Sequence, residues 1–243
     1  MRERLDVLLV NMGLASTRSK AQSMIKGQCV CVDGKVALKP GVTYDSELVN
    51  ITVKEDAVKY VSRGGYKLEG AINEFGLDLS GKVCLDIGSS TGGFTDCMLQ
   101  NGAAKVIAID VGSDQLHEKL RKDNRVILME QTNFRYVTAD DIGERVDFAS
   151  CDVSFISLDK ILPNAYMLIK DCGFMVCLVK PQFEAGRENI KKGGIVRDAK
   201  VHDKVITNVT EFAKEVGFEV CKVIKSPITG GDGNTEYLML LKK

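Results

Sequence analysis

The chain has 243 residues, enough for one or two domains. Its 44% hydrophobic and 27% charged content is that of an ordinary globular protein, and its longest apolar run, Phe174 to Val179, is far short of the ~18 residues of a membrane span. Lys plus Arg equals Asp plus Glu at 33 each, so net charge excludes a uniformly basic nucleic-acid binder and leaves only local patches to examine.

The N-terminal stretch MRERLDVLLVNMG has charges on both sides of a short apolar run and no small-residue cleavage site. It reads as an amphipathic helix and not as a signal peptide. Leu5, Leu8, Leu9 and Met12 recur at helical spacing, and Gly13 stops that helix. Ser16 or Thr17 can cap a second helix through Ala21, Met24 and Ile25 to Gly27. CVCVDGKVAL then predicts strands around a tight Asp33–Gly34 turn, and Leu48 to Val53 predicts another. Residues 55–62, EDAVKYVS, read as a connector.

From residue 63 the pattern changes. Strands are expected at 83–88, 106–112, 125–130, 146–153, 173–181, 219–225 and 236–242. Helices are expected from Gly93, near 157–170 and over about 199–216. Apolar strands alternating with helical periods imply an α/β fold, a doubly wound and largely parallel sheet. The expected domains are 1–55, a linker over 56–62, and 63–243.

The 8 cysteines include no C-x-x-C pair, and Cys29-Val30-Cys31 has no companions at zinc spacing. All are expected as reduced thiols in a cytoplasmic protein, with no metal site. Between Arg18 and Lys39, five basic residues (Arg18, Lys20, Lys26, Lys35, Lys39) face one acid, Asp33. From charge alone a solvated helix face accounts for this better than a phosphate-binding patch does.

The strongest chemical signal is Asp86-Ile87-Gly88-Ser89-Ser90-Thr91-Gly92-Gly93-Phe94, directly after an apolar strand and opening a helix. Its D-x-G-x-x-x-G-G pattern is not the dinucleotide G-x-G-x-x-G, which disfavours an NAD-dependent oxidoreductase. An acid beside the loop would repel a pyrophosphate. It suits a ligand carrying an ammonium and a sulfonium, as S-adenosylmethionine does. Asp86, Gly88, Ser90, Gly92, Gly93 and Phe94 are the expected cofactor loop. Asp110 ends the second strand, where an acid can accept from ribose hydroxyls, and Glu130 and Asn133 follow the third. Asp152 and Lys180 close the fourth and fifth strands toward the same crevice. A lysine ending an apolar strand is costly unless paired or used.

Taken together, these motifs resemble the TlyA family of ribosomal-RNA 2′-O-ribose methyltransferases, often called haemolysins, within the FtsJ-like enzymes. The resemblance runs from LDVLLVNMGLASTRSKAQSMIKG, VDGK and KP through VSRGGYKL, LDIGSSTGGFTD, AIDVG, DVSFISL and LVKPQFE to GNTEY. It implies a small N-terminal α+β RNA-binding domain of the ribosomal-protein-S-four type, joined to a Rossmann-like methyltransferase sheet. It also implies a Lys–Asp–Lys–Glu catalytic set at Lys67, Asp152, Lys180 and Glu236, with S-adenosylmethionine as cofactor. RNA contacts are expected from Arg18, Lys20, Lys26, Lys35, Lys39 and Arg63, on a cytidine of ribosomal RNA. The connector departs from the family's aromatic-centred version, reading VKYV with Tyr60 in the aromatic place. The Gly-rich segments 185–194 and 229–234 border the crevice and read as mobile substrate loops, with plain surface loops an equal alternative. A membrane-active haemolysin and a non-catalytic RNA-binding protein on the same fold are the competing readings. The sequence sets no oligomeric state.

Overall fold

The computed structural model describes all residues except 1, 16, 27–28, 47, 54–58, 187–193 and 231–232, and leaves out the side chains of Ser19, Lys20, Ser23 and Lys26. The expected cap at Ser16, the stop at Gly27, half of the connector and parts of both Gly-rich segments therefore lie outside the described residues. The chain divides into two compact units, Met1–Lys59 and Tyr60–Lys243.

The first unit begins with β1 (Arg2–Arg4), α1 (Leu5–Asn11) and α2 (Arg18–Lys26), followed by β2 (Val30–Val32), β3 (Lys35–Val36), β4 (Thr43–Asp45) and β5 (Ile51–Val53). Leu5, Leu8 and Leu9 of α1 and Ala21 and Ile25 of α2 meet Val30 in a fully buried core. Each large apolar side chain removed from water there contributes ~1.5–3 kcal/mol. Strands β3–β2–β5 form one antiparallel sheet. Asp33 and Gly34 both take positive φ (49° and 76°), as a tight two-residue hairpin turn requires. The β1–β4 pair was not legible in the sequence, and the strand expected from Leu48 forms only at Ile51. Leu48 is 84% exposed and has no core face to join. Met12 falls past the end of α1 and is exposed, because Gly13 at φ 70° turns the chain there.

The second unit continues with α3 (Gly64–Phe75), β6 (Val83–Ile87), α4 (Gly93–Gln100), β7 (Lys105–Ile109), α5 (Glu118–Arg121), β8 (Val126–Met129), α6 (Ala139–Ile142), β9 (Val146–Cys151), α7 (Leu162–Leu168), β10 (Ile169–Val179), α8 (Pro181–Glu184), α9 (Ala199–Val216), β11 (Glu219–Lys225) and β12 (Tyr237–Lys242). The seven-stranded sheet has the order β11–β12–β10–β9–β6–β7–β8. The pairs β6–β7, β7–β8, β6–β9 and β9–β10 are parallel, and β12 runs antiparallel to both neighbours.

Strand alternation explains why these strands are apolar throughout. Leu85, Ile107, Ala149, Met175 and Cys177 face one core, shared with α7 and α9. Cys84, Val106, Phe148, Val176 and Leu178 face the other, shared with α3 and α4. Both faces are covered, so there is no solvent face for polar residues to mark.

Two expectations shift. The helix expected near 157–170 splits into a 3₁₀ turn at Leu158–Lys160 and the short α7. Strand β10 starts at Ile169 because that residue already pairs with Val146, with the register shifting before Phe174.

Candidate active site

Sheet order reverses at β6: the chain moves outward through β7 and β8, then returns to β9 on the other side. The carboxyl ends of strands around such a switch point form the ligand crevice of doubly wound sheets. Two adjoining clefts of about 370 and 350 Å³ lie here, sharing Gly88, Ser90, Asp152, Ser154 and Phe155.

The first cleft brings together the four residues expected from chain positions as far apart as 67 and 236. Helix α3 supplies Lys67, the ends of β9 and β10 supply Asp152 and Lys180, and the residue before β12 supplies Glu236. Val179 pairs with Tyr237, so the next position in that antiparallel register sets Lys180 opposite Glu236. Lys67 Nζ lies 2.7 Å from Glu236 Oε2 and 3.7 Å from Asp152 Oδ2. Lys180 Nζ lies 2.5 Å from Asp152 Oδ1 and donates to Ser154 Oγ at 3.0 Å. Two ammoniums and two carboxylates thus form one alternating chain, Glu236–Lys67–Asp152–Lys180. Lys67, Lys180 and Glu236 are buried. Charges this far from water persist only when paired in this way.

The expected cofactor loop divides into parts with different surroundings. Gly88 at φ 81° abuts the Asp152 carbonyl, where an added Cβ would lie 2.9 Å from the oxygen. Ser90 also has positive φ (46°), with its N–H donating to Asp110 Oδ2 at 2.7 Å. Asp110 takes a second bond from Gly112 N at 2.8 Å and, with Asn133, lines the second cleft. Gly93 and Phe94 line the first cleft. Ser89 Oγ is buried without a hydrogen-bond partner among the described residues.

Three expected positions have a different setting. Asp86 is 0% exposed and lines neither cleft; its carboxylate accepts from Thr95 Oγ1 at 2.6 Å and Ser150 Oγ at 3.1 Å. Burial pushes it up to about 6 against those bonds. Gly92 lines neither cleft and packs under Leu120. Glu130 Oε1 accepts from Arg121 Nη2 at 2.6 Å and Gln115 N at 3.1 Å. Burial works to raise Glu130, yet the Arg121 guanidinium and backbone N–H groups hold it below its usual value.

Sequence reasoning missed the aromatic wall. Phe155 follows Asp152-Val153-Ser154, stands 91% exposed with φ 64°, and stacks on Phe183 with centroids 5.0 Å apart. Both line the first cleft. A bulky residue held in the left-handed region is strained. Glu184 fastens this wall: it accepts from Ser157 Oγ at 2.5 Å and Leu158 N at 2.8 Å, tying α8 to the segment after Phe155. The one available signal was a pair of aromatics closely following charged strand ends, in DVSF and KPQF.

In the first unit, Arg18 Nε donates to Asp6 Oδ2 at 3.0 Å, while Lys35 and Lys39 are exposed. Asp6 is fully buried and also binds Arg4 and Gln22. These bonds hold its carboxyl well below the usual range. Lys20 and Lys26 lie on α2, but their side chains are outside the described residues. Arg63 lines the first cleft and donates to Thr229 O at 3.3 Å. Among the described residues no helix is long and apolar enough to cross a membrane.

Residues 60–243 match the FtsJ-like methyltransferase family, and residues 3–49 match the S4 domain. The chain is 52% identical to a Bacillus subtilis protein provisionally called an rRNA methyltransferase, YqxC, over 99% of this chain and 85% of that one. It is 42% identical to the 16S/23S rRNA (cytidine-2′-O)-methyltransferase TlyA of Mycobacterium tuberculosis, over 99% and 90%. A solved Streptococcus thermophilus protein, provisionally called a hemolysin, superposes with a TM-score of 0.78 at 48% identity, covering 100% of this chain and 88% of that one. Aeropyrum pernix fibrillarin, solved with bound S-adenosyl-L-methionine, shares the fold alone, at TM-score 0.51 and 16% identity over 73% and 75%. With a matching catalytic domain, a matching S4 domain and relatives aligned almost end to end, the chain belongs to the FtsJ-like methyltransferases, in the TlyA family.

Proposed function

We propose that this protein transfers a methyl group from S-adenosylmethionine to the 2′-hydroxyl of a cytidine in ribosomal RNA, in the cytoplasm. One observation carries the reading: the buried ammonium of Lys180, lining the cleft beside the glycine loop, is held by Asp152 and Ser154. The cytidine and the ribosomal RNA follow the relatives' activities, and the S4 domain supports an RNA partner.

The residues present fit the cofactor. Gly88 and Ser90 line both clefts, and the positive φ at each bends the loop backbone along them. Ser89, between them, lines the first cleft with an orphaned Oγ. In the second cleft, Asp110 offers carboxylate oxygens to ribose hydroxyls, and Ile109, Val111, Phe134 and Ile161 provide apolar walls for a purine. Bound S-adenosylmethionine supplies an electrophilic methyl on a sulfonium that departs as a neutral thioether, so no oxyanion hole is needed.

The chain's own residues handle the hydroxyl. Lys180 has a third N–H beyond those directed at Asp152 and Ser154, and donates it to the 2′-oxygen. That bond lowers the oxygen's proton affinity and fixes its direction of attack, so that the oxygen–methyl bond forms as the sulfur–methyl bond breaks and the hydroxyl proton passes to water. Lys67, between Glu236 and Asp152, keeps Asp152 aligned on Lys180. Phe155 and Phe183 offer a face on which the base of an extruded nucleotide stacks.

The test is transfer of labelled methyl to ribosomal subunits, followed by mapping of the alkali-resistant position. Lys180→Ala is expected to cost ~10²–10⁴-fold in rate with S-adenosylmethionine affinity nearly unchanged. Near wild-type transfer by that variant overturns the assignment.

A further inference from the structure

A second polar network, buried and outside the catalytic chain, surrounds the approach to Glu236. Asn234 is 2% exposed. Its Oδ1 accepts from Val196 N at 3.1 Å and its Nδ2 donates to Gly194 O at 3.0 Å. His202, buried on α9, has Nε2 at 2.9 Å from Val196 O and Nδ1 at 3.0 Å from the Tyr237 hydroxyl. A carbonyl can only accept, so Nε2 carries a hydrogen and the ring bridges Val196 to Tyr237. Three backbone groups of Gly194–Val196 are thus fastened to residues flanking Glu236 on either side.

The same residues enclose the carboxylate. Asn234 O accepts from Gly230 N at 2.9 Å, and Glu236 O accepts from Ser226 N at 2.9 Å. Gly230 lies so close to Glu236 that an added Cβ would sit 2.5 Å from Oε1. Tyr237 is also the register partner of Val179, the residue before Lys180. Displacement of Tyr237 therefore moves the backbone that carries both ends of the charge chain. Buried polar groups with satisfied bonds on this scale fix one geometry and resist drift.

We propose that Asn234 and His202 are positioning residues for Glu236. They clamp the Gly194–Val196 strap to the start of β12 and so hold Glu236 against Lys67. The proposal rests on the methyl-transfer reading, because it gives Glu236 a part in that reaction. Neither residue touches the reacting atoms; each acts through Glu236 and Tyr237.

The test is a double-mutant cycle on the full chain, read as single-turnover methyl transfer to ribosomal subunits. Asn234→Ser removes both strap bonds and is expected to lower the rate by about 10²-fold, the scale of a misplacement near 1 Å. On a Glu236→Gln background the same change is expected to add little, since the group it positions is already gone. His202→Gln, which can still donate to Val196 O, is expected to retain more activity than His202→Asn, which keeps only the Tyr237 side. A merely structural role predicts something different: losses that add fully to Glu236→Gln and follow melting temperature alone. Additive losses, or unchanged rates in Asn234→Ser and His202→Asn, overturn the positioning roles while leaving methyl transfer intact. Wild-type protein that transfers no methyl to RNA overturns the functional reading and this proposal with it.

Discussion

Asp86 is the carboxyl that opens the expected cofactor motif, and its bonds run inward, to Thr95 and Ser150. Burial holds it at about 6, against 3.8 for a free side chain. A group that binds its proton more tightly when folded stabilises the fold below the unfolded value and loses that contribution as pH rises through the folded one. Between about pH 4 and 6, Asp86 therefore makes stability fall with rising pH. Asp86→Asn lacks the ionisation, so its melting temperature relative to wild type should climb across that window and level off above it. A flat difference would show that Asp86 does not titrate there. Phe155 supports a second prediction. Its φ of 64° costs roughly 1–3 kcal/mol, which Phe155→Gly relieves. That variant should be at least as stable as wild type, yet lose ~1–3 kcal/mol of base stacking. The measured result should be a higher KM or lower kcat/KM for RNA with unaltered cofactor affinity. A fully active Phe155→Gly would remove the aromatic wall from the site.

The glycines of the loop belong to the element scale, where sequence and structure part company. The motif reads as a ligand cradle from end to end, and Gly88 does border both clefts, yet at φ 81° its Cβ would lie 2.9 Å from the Asp152 carbonyl. Gly93 also borders the first cleft, but its Cβ would lie 2.2 Å from Ser62 Oγ and 2.8 Å from Gly65 N, so it is small chiefly to let α4 approach α3. Gly92 is confined by Leu120, at 2.3 Å from a would-be Cβ. A pattern of glycines announces close approach but not what approaches, and helices packing on each other leave the same mark as a ligand. Gly93→Ala should therefore destabilise by ~1–3 kcal/mol through overpacking, a fall of ~2–4 °C per kcal/mol in a domain this size. Gly88→Ala, strained at positive φ and pressed on the Asp152 carbonyl, should destabilise as well, and because Gly88 borders both clefts it should also cost cofactor affinity, read by calorimetry. Unaltered affinity in folded Gly88→Ala would remove that glycine from the cofactor site. The strands and α9 were legible because apolar runs and a long amphipathic period are local signals. The short α5, α6 and α8 and the β1–β4 pair were not, since elements of two to four residues are set by tertiary contacts.

At the scale of the whole molecule, a net charge of zero conceals a division of labour. Lys67, Asp152, Lys180 and Glu236 were named through the family resemblance, but not the alternating chain that pairs them, because that chain depends on strand register and on α3 lying over the sheet. The basic positions of the first unit were legible as charge alone. The structure adds that Asp6, fully buried, fixes Arg4 and Arg18 while both side chains remain about half exposed. Pre-aligned guanidiniums lose less freedom on meeting phosphate than free ones do. Each phosphate neutralised releases condensed counterions, so affinity for RNA should fall with salt at a log–log slope near −0.7 to −0.9 per contact. Arg18→Ala, Lys35→Ala and Lys39→Ala together should weaken binding to ribosomal RNA and flatten that slope by about 2–3. S-adenosylmethionine affinity, a property of the second unit, should remain unchanged. An unaltered slope in the triple variant would mean that the RNA is held elsewhere, whatever the fall in affinity.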